Sequence, residues 1–141
     1  MKKTFVRIIV LIVLIVLFYF FRPIIWWAVM DHNGGFYDSV TGWLECGSEF
    51  VCLHEYGHQL DDQLGRPSST QEFHYAFEEF ALTTTNGALL KSSLDYKANS
   101  SLYYRVYLSY SYYKEAYAEI YQVHGGRIEW MPEYLQEFYI E

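Results

Sequence analysis

Apolar and polar residues follow three different patterns along this chain. From Ile8 to Phe21 there is no charged residue and the positions are packed with Ile, Val, Leu and Phe, Tyr19 apart. Further on, Phe50, Leu53, Tyr56, Gly57 and Leu60 recur with the three-to-four spacing of one helix face. Ser48 precedes this stretch as a cap, Glu49 suits the positive end of the helix dipole, and Gly65 followed by Pro67 is a stop signal. The pattern predicts a helix of about four turns. Ser69 and Glu72 form a capping box ahead of Phe73, Phe77 and Phe80, which predicts a second helix. Glu115 to Tyr121, ended by Gly125 and Gly126, predicts a third. Phe36 to Glu45 has the length of a short strand or hairpin, and Asp31 to Gly35 reads as a turn-rich linker. Asn86 to Ser101, rich in Ser, Lys and Asn, reads as loop.

The apolar run near the start predicts a membrane-spanning helix. Spanning takes about 20 residues, so the helix must borrow from Thr4 to Arg7 or extend past Arg22. Arg7 and Arg22 can snorkel at its ends, Trp26 and Trp27 suit the interfacial belt, and Pro23 ends or kinks it. Lys2, Lys3 and Arg7 then keep the N-terminus cytoplasmic by the positive-inside rule and place the remaining chain outside. A cleaved signal peptide is the competing reading, but Phe18 to Trp27 lacks the small-residue pair of a cleavage site. The chain thus divides into residues 1–30, a basic tip and signal anchor contacting the bilayer through residues 4–30, and one small domain over residues 31–141.

Charge follows the same division. Residues 1–30 carry four basic residues and no acid, whereas residues 31–141 carry six basic and seventeen acidic ones. A domain that acidic excludes nucleic acid as the expected partner. With 141 residues the chain can bury only a small core.

The first helix carries chemistry. His54-Glu55-Tyr56-Gly57-His58 reads H-E-x-x-H. Residues four apart share a helix face, so His54 and His58 can grip one ion together. Glu55 then lies beside the ion's open position, where it can take a proton from water. The alternative is an amphipathic helix with two solvated histidines. Gly57 costs up to about 1 kcal/mol relative to Ala inside a helix, which points to close packing against another element or to room for a ligand. Glu115 and Glu119 share a face of the third helix, where like charges repel. Glu115 as third ligand, with Glu119 bonded to a ligand imidazole, relieves that repulsion; a solvated acidic face is the other reading. Cys46 and Cys52 flank the start of the zinc helix. They could form a disulfide, stay as buried thiols, or join His54 and His58 in a zinc knuckle, which the angle between Cys52 and His54 around a helix disfavours. His32, His74 and His124 read as solvated residues.

The stretch from His54 to Asp62 followed by Gly65 resembles the zinc helix of the anthrax lethal factor-like metallopeptidases, which include the bacterial Pro-Pro endopeptidases. Their pattern H-E-[FY]-G-H-x-[VL]-D-D-x-x-G is matched throughout. Glu115 to Tyr121 is similar to their second motif, with Ala116 where an aromatic is usual, and Pro132 to Phe138 is similar to their terminal helix. The resemblance covers roughly Phe50 to Glu141. It implies zinc as cofactor, Glu115 as third ligand, and a tyrosine seven residues earlier as oxyanion donor. That position is Leu108 here; Tyr107, Tyr110, Tyr112 and Tyr113 lie nearby, and Tyr110, in a Ser-Tyr pair like the family's, is the favoured substitute. The expected fold is α+β: a predominantly helical, minimal zincin-like domain with a short sheet or hairpin, preceded by one transmembrane helix. The expected function is a membrane-anchored zinc endopeptidase that cleaves peptide bonds of extracytoplasmic proteins with Glu55 as base. The alternative function is a non-catalytic, zinc-stabilised, membrane-tethered binding protein.

Overall fold

The computed structural model describes residues 7–18, 21, 34–100 and 108–140, with the side chains of residues 100 and 108–111 outside that description. Most of these residues are helical, and the one sheet is a two-stranded antiparallel hairpin. Strand β1 (Gly35–Asp38) pairs with β2 (Trp43–Cys46), Gly35 opposite Cys46 and Tyr37 opposite Leu44. The turn between them closes through Gly42, at φ 71°, whose N–H donates to the Asp38 carbonyl at 2.7 Å.

The N-terminal expectation needs correction. Residues 7–18 are helical (α1), and their apolar side chains, Ile8 to Phe18, are exposed. Among the described residues no helix is long and apolar enough to cross a membrane. The transmembrane helix is therefore removed from the fold class. The single-pass placement, with a cytoplasmic N-terminus and an extracytoplasmic His54 domain, loses its basis with it. Residues 1–6, 19–20 and 22–33, including Arg22, Trp26, Trp27 and His32, lie outside the described residues.

Helix α2 (Glu49–Gln63) begins where the cap predicts: the Ser48 hydroxyl accepts from the Val51 N–H. Helix α3 (Gln71–Thr83) starts one residue later than the capping box suggests, because Thr70 rather than Ser69 accepts from the Phe73 N–H. The segment expected to be a loop is instead helix α4 (Thr85–Ser100). Thr84 starts it by accepting the Gly87 N–H at 2.9 Å. Leu90, Leu94 and Ala98, spaced by four, bury one thin stripe that the surrounding polar residues hide in the sequence. Helix α5 (Leu108–Val123) carries the second motif, and a short helix α6 (Glu133–Gln136) follows Pro132.

The core lies between α3, α4, α5 and the C-terminal segment. Phe73, Phe77 and Phe80 meet Leu90, Leu94, Tyr117, Ile120, Met131, Leu135 and Tyr139. Two hydroxyls lock the C-terminal segment to α5: Tyr117 donates to the Phe138 carbonyl and Tyr139 to the Tyr117 carbonyl. This packing keeps α5 rigid beneath α2, and the candidate site forms between those two helices.

Candidate metal centre

Helices α2 and α5 cross at Gly57. A Cβ placed there would lie 2.6 Å from the Ala118 Cα, closer than any real contact. The glycine thus serves close packing, the first of the two roles its position suggests. At the other end of the crossing, Gln122 Nε2 donates to the Phe50 carbonyl at 2.8 Å. The crossing sets Glu115, one turn before Ala118 on α5, against the histidine face of α2.

His54 Nε2 lies 3.2 Å from Glu115 Oε2, and His58 Nε2 lies 3.4 Å from Glu115 Oε1. The two imidazoles stand perpendicular with centroids 4.7 Å apart. One ligand atom from each of the three residues falls within 4.8 Å of the others, so the group could hold a metal ion. The donor set, two imidazole nitrogens and a carboxylate, suits a borderline divalent ion. His58 Nδ1 is buried with no hydrogen-bond partner, so packing and the Nε2 contact alone orient this ring.

The electrostatics follow from this convergence. Burial pushes the Glu115 carboxyl up, but the hydrogen bonds and charge of His54 and His58 outweigh it and hold the group well below the usual carboxylate range. Burial pulls His54 down, and the bond and charge of Glu115, helped by Glu55 and Glu119, lift it above the ordinary imidazole value. Glu55 is raised chiefly by burial, opposed by the two imidazoles.

Glu55 lies under the hairpin. A Cβ on Gly35 would come within 2.6 Å of Glu55 Oε1, and the carboxylate accepts a hydrogen bond from the Tyr37 backbone. Only a strand with glycine at this position can lie so close. The residue is 8% exposed, so strand β1 acts as its cover. Glu119 lies one turn beyond Glu115. Its hydrogen-bonding partner is Lys97 of α4, and it reaches His54 through charge. Tyr110 falls in the first turn of α5, and its side chain lies outside the described residues.

Cys46 and Cys52 form a disulfide with Cα atoms 5.2 Å apart, which removes both the free-thiol and the zinc-knuckle readings. His74 and His124 are held within the fold. The His74 ring stacks on Tyr113 with Nε2 3.0 Å from the Ser68 carbonyl, and His124 Nδ1 meets the Ile120 carbonyl. Asp61, fully buried on α2, accepts from both the N–H and the hydroxyl of Ser68 and so anchors the segment leaving the helix.

Sequence reasoning overlooked Gly35, Tyr37 and Lys97. Gly35 sits in a stretch that reads as linker, and Lys97 in one that reads as loop. Neither carries a local signal, since each matters only through a neighbour distant in sequence.

Comparison with protein-family models, with curated proteins and with solved structures finds no match.

Proposed function

We propose that this chain is a zinc-dependent peptide hydrolase. The observation that carries the reading is the convergence of His54, His58 and Glu115 on one point from two helices, His54 and Glu115 being 61 residues apart, with Glu55 next to His54. Two imidazoles and one carboxylate, three protein ligands where a structural zinc site has four, form the ligand set of a catalytic site. The resemblance of His54–Asp62 and Glu115–Tyr121 to the lethal factor-like metallopeptidases supports the same reading.

Zinc, when bound, polarises the scissile carbonyl and makes water at its open position more acidic. Glu55 accepts the proton of the attacking water and passes it to the leaving amine. Its burial raises its pKa, the direction that suits a base working near neutral pH. Glu119, paired with Lys97, adds to the negative charge that favours the protonated His54 ring. Tyr110 is the proposed donor to the oxyanion.

A second reading, a non-catalytic domain that uses the metal for stability, draws on one observation: strand β1 leaves the Glu55 carboxylate nearly buried. A peptide-library digest by the full chain, with zinc supplied or removed by a chelator, separates the two. Cleavage that depends on zinc and disappears in Glu55→Gln supports hydrolysis. Stoichiometric zinc without cleavage supports the second reading, and no zinc after metal-replete refolding overturns both.

A further inference from the structure

The disulfide lies beside the site, and its two ends have different duties. Cys46 closes strand β2 and faces Gly35 in the hairpin register. Cys52 lies in the first turns of α2, two residues before His54. Gly35 in turn rests on Val51 and Glu55. Covalent bond, strand pairing and packing thus form a closed ring: Cys52 to Cys46, Cys46 to Gly35, Gly35 to Glu55, and Glu55 back along the helix to Cys52.

Besides the disulfide, the hairpin is held on α2 by the side-chain hydrogen bond of Tyr37 to Asp62, the Tyr37 backbone bond to Glu55 and the Gly35 contacts. It is a lone two-stranded sheet of four-residue strands, and seven of its eight strand residues are only half-buried. An isolated hairpin of this size is marginal in water. Its inner face, with Gly35, Tyr37, Leu44 and Cys46, turns to α2, while Phe36 and Trp43 pair edge-to-face on the outer side. The contacts of the hairpin therefore run along α2, and the disulfide is its covalent tie to that helix besides the two-residue backbone link through Gly47 and Ser48.

We propose that the Cys46–Cys52 disulfide is a redox-sensitive clamp that holds the β1–β2 hairpin on Glu55. The inference rests on the reading of Glu55 as the base. A dithiol reductant attacks one sulfur and the S–S bond breaks. Two electrons and two protons end on Cys46 and Cys52 as thiols, and the dithiol leaves as its own disulfide. The hairpin then separates from α2, Glu55 loses the Tyr37 backbone hydrogen bond and the Gly35 contact, and the base is no longer held in position. His54 lies on the helical side of the ring and His58 and Glu115 lie beyond it; all three are placed by the packing of α2 against α5 and keep the metal.

The test is amide hydrogen exchange on the zinc-loaded full chain, oxidised and reduced, together with the Cys46→Ser/Cys52→Ser double variant. Hairpin amides should exchange on the order of 10- to 100-fold faster in the reduced chain and in the double variant, the range expected for releasing a short closed loop. Amides of α5 should not change, zinc content should stay the same, and peptide cleavage should fall. The double variant should be indifferent to reductant, which separates the clamp from chelation of zinc by the dithiol. Hairpin amides that keep their protection after reduction overturn the clamp, as does loss of zinc in the double variant. If the hairpin loosens as described but neither redox form cleaves any peptide, the clamp stands and the hydrolase reading fails.

Discussion

Gly57 and Ala118 set the distance between the two halves of the metal centre. Their backbones approach so closely that a Cβ on Gly57 would lie 2.6 Å from the Ala118 Cα and 3.1 Å from its Cβ and carbonyl oxygen. Glu115 lies one turn before Ala118, and His54 and His58 flank Gly57 on their helix. A change of about an ångström at the crossing therefore moves the carboxylate relative to both imidazoles.

Gly57→Ala should destabilise the domain even though alanine is the better helix former. Helix propensity offers about 1 kcal/mol, while overpacking a rigid crossing costs about 1–3 kcal/mol. Metal affinity should fall with stability, because the ligands are pushed apart. Ala118→Gly should restore part of both. Denaturant titration of the four members of this double-mutant cycle, with and without zinc, checks the coupling; strict additivity would show that the contact does not control the site.

Ligand and base should separate cleanly on substitution. His58→Ala and Glu115→Gln should lose metal and lower the melting temperature of the zinc-loaded chain, because bound metal contributes folding free energy. Glu55→Gln should keep the metal and lose hydrolysis. Glu119→Gln should be milder than Glu115→Gln, because Glu119 bonds Lys97 and reaches His54 only through charge. Elemental analysis of each purified variant supplies the readout; retention of metal by Glu115→Gln with loss in Glu119→Gln would reverse the assignment.

The metal-free chain should show a stability maximum in mildly acidic solution. Glu115 is depressed on folding from an ordinary value of 4.5, so its contribution is present above that pH and is lost as pH falls toward the depressed value. His54 is raised from 6.5, so its contribution is complete below that pH and is lost as pH rises through the raised value. Both act fully between those two ordinary values. Thermal melts of the chelated chain across pH 3 to 9 (about the range in which carboxylates and imidazoles titrate) should show the maximum, and Glu115→Gln should flatten it on both sides.

Asp61→Ala should cost about 1–3 kcal/mol, since it strands the buried Ser68 N–H and hydroxyl. Asp61→Asn keeps one acceptor and should be milder. Zinc content per folded molecule should stay unchanged in both, because Asp61 holds the exit of α2 and not the metal. Equilibrium unfolding and metal analysis on the same samples check the two statements together.

Much of this protein is written locally. The helix from Ser48 to Gly65, the histidines four apart on it, the buried Phe73, Phe77 and Phe80, and the short hairpin all follow from residue spacing, because capping and periodicity act over a few residues. The same local reading fails where the signal is thin. Helix α4 hides its stripe of Leu90, Leu94 and Ala98 among serines and lysines, and the apolar run near the start predicts a spanning helix that the described residues do not contain. Only the tertiary structure decided which faces meet. The approach of α5 at Gly57, the pairing of Glu119 with Lys97 and the laying of Gly35 over Glu55 each join residues that carry no mark of their partner, and the structure chose the disulfide among the readings open to Cys46 and Cys52. These are packing outcomes, settled by the joint fit of several helices around one small core, and no spacing along a single segment encodes them.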